Sequence, residues 1–389
     1  MSARRRPVVV VAIDPSWPFK HHHSTIHGIM RYARERDWDC LLDPFVGGAG
    51  ARASAGSRID GIIARVGKSL AAYVRRAGIP TVNVWNGSPD RTLPRVVPDM
   101  AEAGRMAADH LLGRGFPRLG FIGGRDPGSR GELEGFRAAL RQAGLPCPSL
   151  TVPLEYSNAR EWAVFHDRLG RWIRTWVFPM GIFASYELVA RLLAGVCRRR
   201  GIRIPDDVGI VCAGNTELVC EMFEPTITSI EQGFENVGAR AAGVLDRLMR
   251  GGRPPAGPVR VPPVAVVERG STSAFVVGDA DLARVLKAIW SPGPRGLQVR
   301  DLLAGFPASR RTLERRFREV LGRTLHQEIQ RARIDRARKL LSQTPEPLKS
   351  VALKAGFRTA AHFSRAFRLQ EGMSPTDYRL RRGNEALSH

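Results

Sequence analysis

Lysine is scarce in this chain. Only six of its 60 basic residues are lysine, so arginine carries almost all of the positive charge. With 37 acidic residues the net charge is +23, which points to a polyanionic partner. Cysteine is scarce too. Five residues (Cys40, Cys147, Cys197, Cys212, Cys220) are scattered and odd in number. That excludes a disulfide framework, and no pair has metal-ligand or redox-motif spacing. No apolar run approaches the ~20 residues of a membrane helix. The opening MSARRRPVVVVAID breaks at Asp14-Pro15 and has no small-residue cleavage site, so it reads as a buried strand. The chain is therefore expected in the cytoplasm, with no membrane contact. G-x-S-x-G, P-loop and H-E-x-x-H patterns are absent, and Gly120-Phe121-Ile122-Gly123-Gly124 lacks the spacing of a dinucleotide loop. No catalytic residue, cofactor or metal is expected.

What is present is concentrated. Residues 281–389 carry +13 of the charge, and the other 280 residues carry +10. Within that basic quarter, Pro307 to Phe317 reads PASRRTLERRF. Ser309 is a good helix cap, and Leu313 and Phe317, four apart, share one face. Arg310, Arg311, Glu314, Arg315 and Arg318 are left to point outward. Gln298 to Gly305 reads as a short helix before it, which makes a helix-turn-helix candidate.

The first 270 residues alternate strand and helix. Pro7 to Ile13 reads as a strand buried on both faces. Strands are also expected at 39–42, 59–64, 81–85, 119–123, 180–184, 208–212 and 259–267. Helices are expected at 24–36, 70–77, 100–112, 131–143, 162–175, 188–200 and 236–250. This alternation implies parallel sheets, and the number of strands implies two lobes with a ligand cleft between them.

Beyond a connector at 271–281, helical spacing resumes at Asp281 to Trp290. A long helix is expected from Thr324 to Gln343, a short one from Leu348 to Ala355, and a second capped helix from Thr359, with Phe363 and Phe367 inward. The two capped helices start 50 residues apart, at Ser309 and Thr359. A ~20-residue helix spans ~30 Å, and successive major-groove faces of B-DNA lie about 34 Å apart. One chain can thus place two helices in adjacent groove segments.

Ordered local sequences in the first part resemble the LacI/GalR-type sensor domain. They are Asp99 to Gly104 with Asp109-His110-Leu111, Gly115 to Gly123, Gly135-Phe136, Gly201 to Val208, Thr228-Ser229-Ile230, and Val261-Pro262-Pro263 through Glu268 to Thr272. Residues 282–382 resemble the AraC/XylS-type DNA-binding domain, through Ser309 to Phe317, Gly322-Arg323-Thr324, Arg333 to Leu341, Ala355-Gly356-Phe357, His362 to Phe367 and Gly372 to Arg379. The resemblances imply an α/β two-lobed, periplasmic-binding-protein-like sensor over 7–270, with two Rossmann-like parallel-sheet lobes. An all-α double helix-turn-helix domain over 282–382 follows.

The second resemblance implies base contacts from Arg311, Glu314 and Arg315 in the first helix, and from Ala360, Ala361, His362, Ser364 and Arg365 in the second. Arginine pairs with guanine and glutamate accepts from cytosine, whereas alanine offers only a methyl contact, so the first helix is expected to carry more sequence information. Arg310, Arg316, Arg318 and Arg368 are the expected phosphate contacts.

The first resemblance implies a cleft lined from the loop Trp17 to His23 (Trp17, Phe19 and His21) and from Arg130, Glu132, Tyr186, Glu187 and Asn215. The family's sugar-clamping arginine falls at Glu132, which reverses the local charge. Its usual aspartates fall at Asn215 and Glu187. Three consecutive histidines rarely converge on one ion, so metal is not expected there. The implied partners are double-stranded promoter or operator DNA, a small-molecule effector of sugar or sugar-derivative type, RNA polymerase and a second copy of the chain. Two rival readings stay open. One is an enzyme with a DNA-binding appendage, and the other is a ligand-independent DNA-binding protein whose lobes serve only dimerisation.

Overall fold

The computed structural model describes residues 5–16, 20–47, 58–152, 159–222, 224–276, 279–290, 309–321, 323–371 and 373–379. Its first lobe opens with β1 (Val8–Ala12), a run of valines buried on both faces. There follow α1 (Lys20–Glu35), β2 (Asp39–Leu42), β3 (Gly61–Ala64), α2 (Lys68–Ala77), β4 (Thr81–Asn83) and β5 (Val96–Pro98). The sheet order is β2-β1-β3-β4, all parallel, with Val9 opposite Cys40 on one side and Gly61 on the other.

At Asp99 the chain crosses to the second lobe. Asp99 caps α3 (Met100–Gly113) by accepting the Glu102 N–H. Then come β6 (Leu119–Gly123), α4 (Pro127–Gln142), β7 (Ser149–Thr151), α5 (Ala159–Arg174), β8 (Met180–Ala184), α6 (Glu187–Arg199), β9 (Val208–Ala213), α7 (Glu217–Glu221) and β10 (Thr228–Glu231). The chain returns to the first lobe for α8 (Phe234–Met249) and β11 (Val259–Val261), then crosses a third time to β12 (Ala265–Val267). The second sheet has the order β12-β10-β9-β8-β6-β7, antiparallel only at β10–β12. The single strand expected over 259–267 is thus two strands in different lobes. Pro262 and Pro263 have no N–H to continue a ladder.

Both lobes close a helix pair in the same way. A Cβ on Gly28 of α1 would lie 1.9 Å from the Glu235 carbonyl of α8, and one on Gly238 would lie 2.0 Å from the Thr25 carbonyl. In the second lobe, a Cβ on Gly104 of α3 would lie 1.9 Å from the Glu132 carbonyl of α4, and one on Gly135 would lie 1.8 Å from that of Ala101. Only glycine allows backbones this close. The pairing seats Glu132 firmly at the second lobe's inner edge.

The connector is packed. Ser271 and Thr272 are buried: the Ser271 hydroxyl donates to the Ile210 carbonyl at 2.6 Å, and Val276 N–H donates to the Arg114 carbonyl at 2.8 Å. The C-terminal helices are α9 (Ala280–Trp290), α10 (Arg310–Leu321), α11 (Leu325–Gln343), α12 (Leu348–Lys354) and α13 (Ala360–Glu371). The helix expected at 298–305 lies outside the described residues.

These helices form two cores that share α11. Leu325, Ile329 and Ala332 pack with α9, α10 and Phe275. Ile334, Ala337 and Leu341 pack with α12 and α13. At 1.5 Å per residue the 19 residues of α11 span about 28 Å.

Candidate functional site

The two outward helices of the C-terminal domain are started by the same device. Ser309 Oγ accepts the Thr312 N–H at 3.2 Å, and Thr359 Oγ1 accepts the His362 N–H at 3.2 Å. Leu313 and Phe317 are fully buried beneath α10, as are Phe363 and Phe367 beneath α13. Arg310, Arg311, Arg315 and Arg318 are exposed on α10, and Ala361, His362, Arg365 and Arg368 on α13. Glu314, Ala360 and Ser364 are half-buried. Glu314 accepts from Arg310 at 2.9 Å and Glu319 from Arg315 at 3.0 Å, exposed pairs worth little in energy. His362 sets its ring edge-on to Phe357 at 5.6 Å.

Arg316 departs from the expectation of a phosphate contact. It points back to Asp279, donating from Nε at 2.7 Å, and to Asp281 at 3.6 Å. Its charge ties α10 to the connector and to α9.

Two features of this domain have no signal in the residue pattern. Glu328 of α11 is completely buried. It accepts from Trp290 Nε1 at 2.8 Å, from Arg331 at 3.2 Å and from Arg323. Arg114, at the end of α3 in the sensor body, pairs with Glu268 at 2.6 Å and lies 4.5 Å from the Phe275 ring centroid and 5.7 Å from that of Trp290. A sensor arginine is thus inserted into the core of the first helix-turn-helix half.

The first turn of α1, just after β1, meets the C-terminal ends of β9 and β10 of the second lobe, which is where an inter-lobe cleft falls in this topology. Trp17 and Phe19 lie outside the described residues. The three histidines form the first turn of α1 rather than a loop. His21 rests on Phe234 at 5.1 Å, and burial, followed by the charges of His22 and Arg65, pushes its pKa down to about 3. His22 Nδ1 lies 2.7 Å from the Asp14 carbonyl, so Nδ1 carries the proton and Nε2 accepts from Arg65. Lys20 reaches across the cleft to the Asn215 carbonyl at 3.1 Å and to Glu231 at 3.3 Å.

On the second lobe Glu132, Tyr186, Glu187 and Asn215 are engaged by neighbouring protein groups. Glu132 is buried, accepts from Gln232 at 2.8 Å and shares a hydrogen bond with Ser185. Burial, and then the Asp126 charge, push its carboxyl up to about 8. A proton on Glu132 lets each hydroxyl donate once along the chain Glu132–Ser185–Ser129–Asp126, with 2.7 Å and 2.6 Å for the last two links. Asp126 also accepts from Tyr186 and from the Gly128 and Ser129 N–H groups. Those hydrogen bonds outweigh its burial and hold its pKa below the ordinary value. Glu187 accepts the Thr216 N–H at 2.6 Å, and burial raises its pKa.

Asn215 accepts from Ser229 at 2.9 Å and Arg269 at 2.8 Å, and donates to Glu231 at 3.1 Å. Arg130 is exposed one turn before Glu134 on α4. Asp126, Ser129, Gln232 and Arg65 were not singled out by the residue pattern. The Asp-Pro start of α4 was the legible signal for the first of them. Among the described residues, no group of three or more His, Cys, Asp or Glu is placed to hold a metal ion.

Comparison with known proteins finds matches in both parts of the chain. Residues 7–164 match the family described as periplasmic binding proteins and sugar binding domain of LacI family, and 108–272 match the periplasmic binding protein-like domain. Residues 302–381 match the helix-turn-helix domain. The xylose operon regulatory protein of Haemophilus influenzae is 28% identical over 223 residues, 57% of this chain and 58% of that protein. The HTH-type transcriptional regulator DegA of Bacillus subtilis is 31% identical over 228 residues, 56% of this chain and 65% of that one. Each match covers less than two thirds of the relative's own length. Among solved structures, a xylose-binding transcription activator superposes over 96% of this chain and 98% of its own, with TM-score 0.60 and 22% identity. A transcriptional regulator in complex with cellobiose superposes over 69% of this chain and 85% of its own, with TM-score 0.54 and 22% identity. The chain thus matches a LacI-type, periplasmic-binding-protein-like domain over 7–272 and a helix-turn-helix domain over 302–381, and it is homologous to the xylose operon regulatory proteins.

Proposed function

We propose that this chain is a one-component transcription regulator. It binds double-stranded operator or promoter DNA through α10 and α13, under the control of a small molecule, a sugar or sugar derivative, held between the sensor lobes. The observation that carries the reading is the pair of capped helices, each seated on its own core and joined by one shared 19-residue helix. On this reading Arg311, Glu314 and Arg315 face bases in one groove segment. Ala360, Ala361, His362, Ser364 and Arg365 face those in the next. Arg310, Arg318 and Arg368 meet phosphates. The functional units are 7–270 and 282–382, the chain acts in the cytoplasm as a homodimer, and RNA polymerase is its downstream partner. The relatives it matches are named as regulators, and no catalytic role is assigned.

A ligand can change DNA binding only by favouring one arrangement of lobes and domains over another. The route in this reading runs through Glu268, Arg114, Trp290 and Glu328, which link the sensor edge to α11 by successive contacts. The test is capture of genomic fragments by the purified chain, followed by titration of an enriched fragment with and without sugars and sugar acids. The reading predicts affinity about 10³-fold or more above that for unrelated DNA and a shift on adding one compound. Uniform affinity for all fragments contradicts it.

One observation favours the ligand-independent alternative. Lys20 already bridges the lobes to Asn215 and Glu231, so closure does not require an occupant. Specific DNA binding that no compound alters is the outcome that supports this second reading.

A further inference from the structure

We infer that the outer face of α3 in the sensor is a docking surface for this chain's own DNA-binding domain, and that it works as a splint. By facing both halves of that domain at once, α3 fixes the spacing between α10 and α13 along DNA. This rests on the reading that α10 and α13 bind DNA.

The C-terminal domain has a need for such a support. Among the described residues its two cores are joined through α11, where Ala332 belongs to the first and Ile334 to the second. The angle between α10 and α13 therefore depends on one 19-residue helix. Long helices bend. A body that faces α11 on both sides of its midpoint stiffens it.

α3 is placed to be that body. It lines a cavity of about 870 Å³ between the sensor and the C-terminal domain. The opposite wall takes Trp290, Arg323 and Arg331 from the first half, and Arg338, Glu371 and Tyr378 from the second. In the last turn of α3, a Cβ on Gly113 would lie 3.5 Å from Nη2 of Arg331. One turn back is Asp109. Burial raises its carboxyl above the ordinary value, and the charges of Arg105, Arg338 and Arg331 oppose that rise. A further turn back, Arg105 pairs with Glu102 and Asp109 on its own helix, and Glu371 adds a third carboxylate from the far wall. Glu371 is itself paired with Arg338.

As α3 is followed from Gly113 back to Arg105, the facing groups thus advance from Arg331 through Arg338 to Glu371. The two helices run in opposite directions, with opposite charges facing at Asp109 and at Arg105. The stretch 105–113 of α3 spans about 12 Å and the stretch 331–338 of α11 about 10 Å, so the two match in length. Charges facing across a partly enclosed space are screened less than exposed pairs. Arg114 anchors one end of the seam through Phe275 and Trp290. Arg311, Arg315, His362 and Arg365 stay exposed in this arrangement, so the docked domain can meet DNA as it stands.

The test uses the full chain and the duplex enriched from genomic fragments, beside the same duplex with about two extra base pairs between its two segments. A rigid pair of readers loses one segment when the spacing is wrong, and with it about 10²-fold in affinity. The parent chain should show that penalty. Asp109→Arg sets a like charge before Arg331 and Arg338, and should cut the penalty to about tenfold or less. Asp109→Asn removes the charge alone and should fall between. The penalty is a ratio of two affinities, so a general gain in DNA affinity from the new arginine cancels. Amide hydrogen exchange over 331–338, without DNA, should quicken in the same order. A penalty equal in all three chains overturns the splint and leaves DNA reading standing. So does a parent chain that binds both duplexes alike, or a penalty that falls with no change in exchange. Enrichment of no fragment overturns the DNA reading, and the splint with it.

Discussion

The two halves of the C-terminal domain share a plan and differ in what they carry. Each has a capped outward helix over two buried side chains four residues apart: Leu313 and Phe317 in the first, Phe363 and Phe367 in the second. The first half places Arg311, Glu314 and Arg315 on its outer face, and the second places Ala360 and Ala361 in the corresponding first turn. The first half is also bound to the sensor. Arg114 enters its core between Phe275 and Trp290, and Arg316 holds the connector at Asp279. The difference teaches that duplicated architecture need not mean duplicated roles. On the proposed reading, the first half carries more of the sequence discrimination and receives the sensor's state, and the second adds grip and register.

The largest effects should come from the cores. Phe317→Ala and Phe367→Ala should each cost about 3–5 kcal/mol, but in different places. Amide hydrogen exchange should show 310–321 opening in the first variant and 348–371 in the second, with the other half still protected. Simultaneous opening of both halves in either variant would merge the two cores into one. Next is reading. Arg311→Ala should remove about 1–3 kcal/mol of discrimination at one base position, and Ala361→Gly less, as measured on mismatched duplexes. Arg114→Ala removes cation–π contacts worth roughly 0.5–2 kcal/mol each. It should speed exchange across 280–290 and 310–321 while leaving 348–371 unchanged. The smallest effects belong to the proposed phosphate contacts. Arg318→Ala and Arg368→Ala should each weaken binding to all sequences and lower the salt slope by about 1. Arg316→Ala should lower stability and leave that slope alone, because its partner is Asp279.

How much of this was legible depends on how local the cause is. The valines of β1, the caps at Ser309 and Thr359, and the Leu313–Phe317 and Phe363–Phe367 pairs are set by spacings of a few residues, and the fold honours them. Short strands such as β5 (Val96–Pro98) and β7 (Ser149–Thr151) were missed, because each is three residues long and bounded by proline at Pro94 and Pro98 or Pro148 and Pro153 rather than set in a longer apolar run. The histidines at 21–23 were expected in a loop. They start α1 because His22 is held by the Asp14 carbonyl, a contact that the residue pattern does not reveal. Glu132 and Asn215 were expected at the cleft, but their partners were not legible. Their hydrogen bonds go to Gln232, Ser185, Ser229 and Arg269, brought near by the crossovers between lobes. Arg316 looked like its neighbours on the helix, and only the path of the connector turns it inward.

The central claim is that the two reading helices are unequal. It is tested most directly by selecting binding sites from a random duplex library with the full chain, alongside Arg311→Ala and Ala361→Gly variants. The account predicts a site of two segments about one helical turn apart, with more information in one of them. That segment should lose its preference in Arg311→Ala and keep it in Ala361→Gly. Equal information in both segments, or equal loss in the two variants, would contradict it.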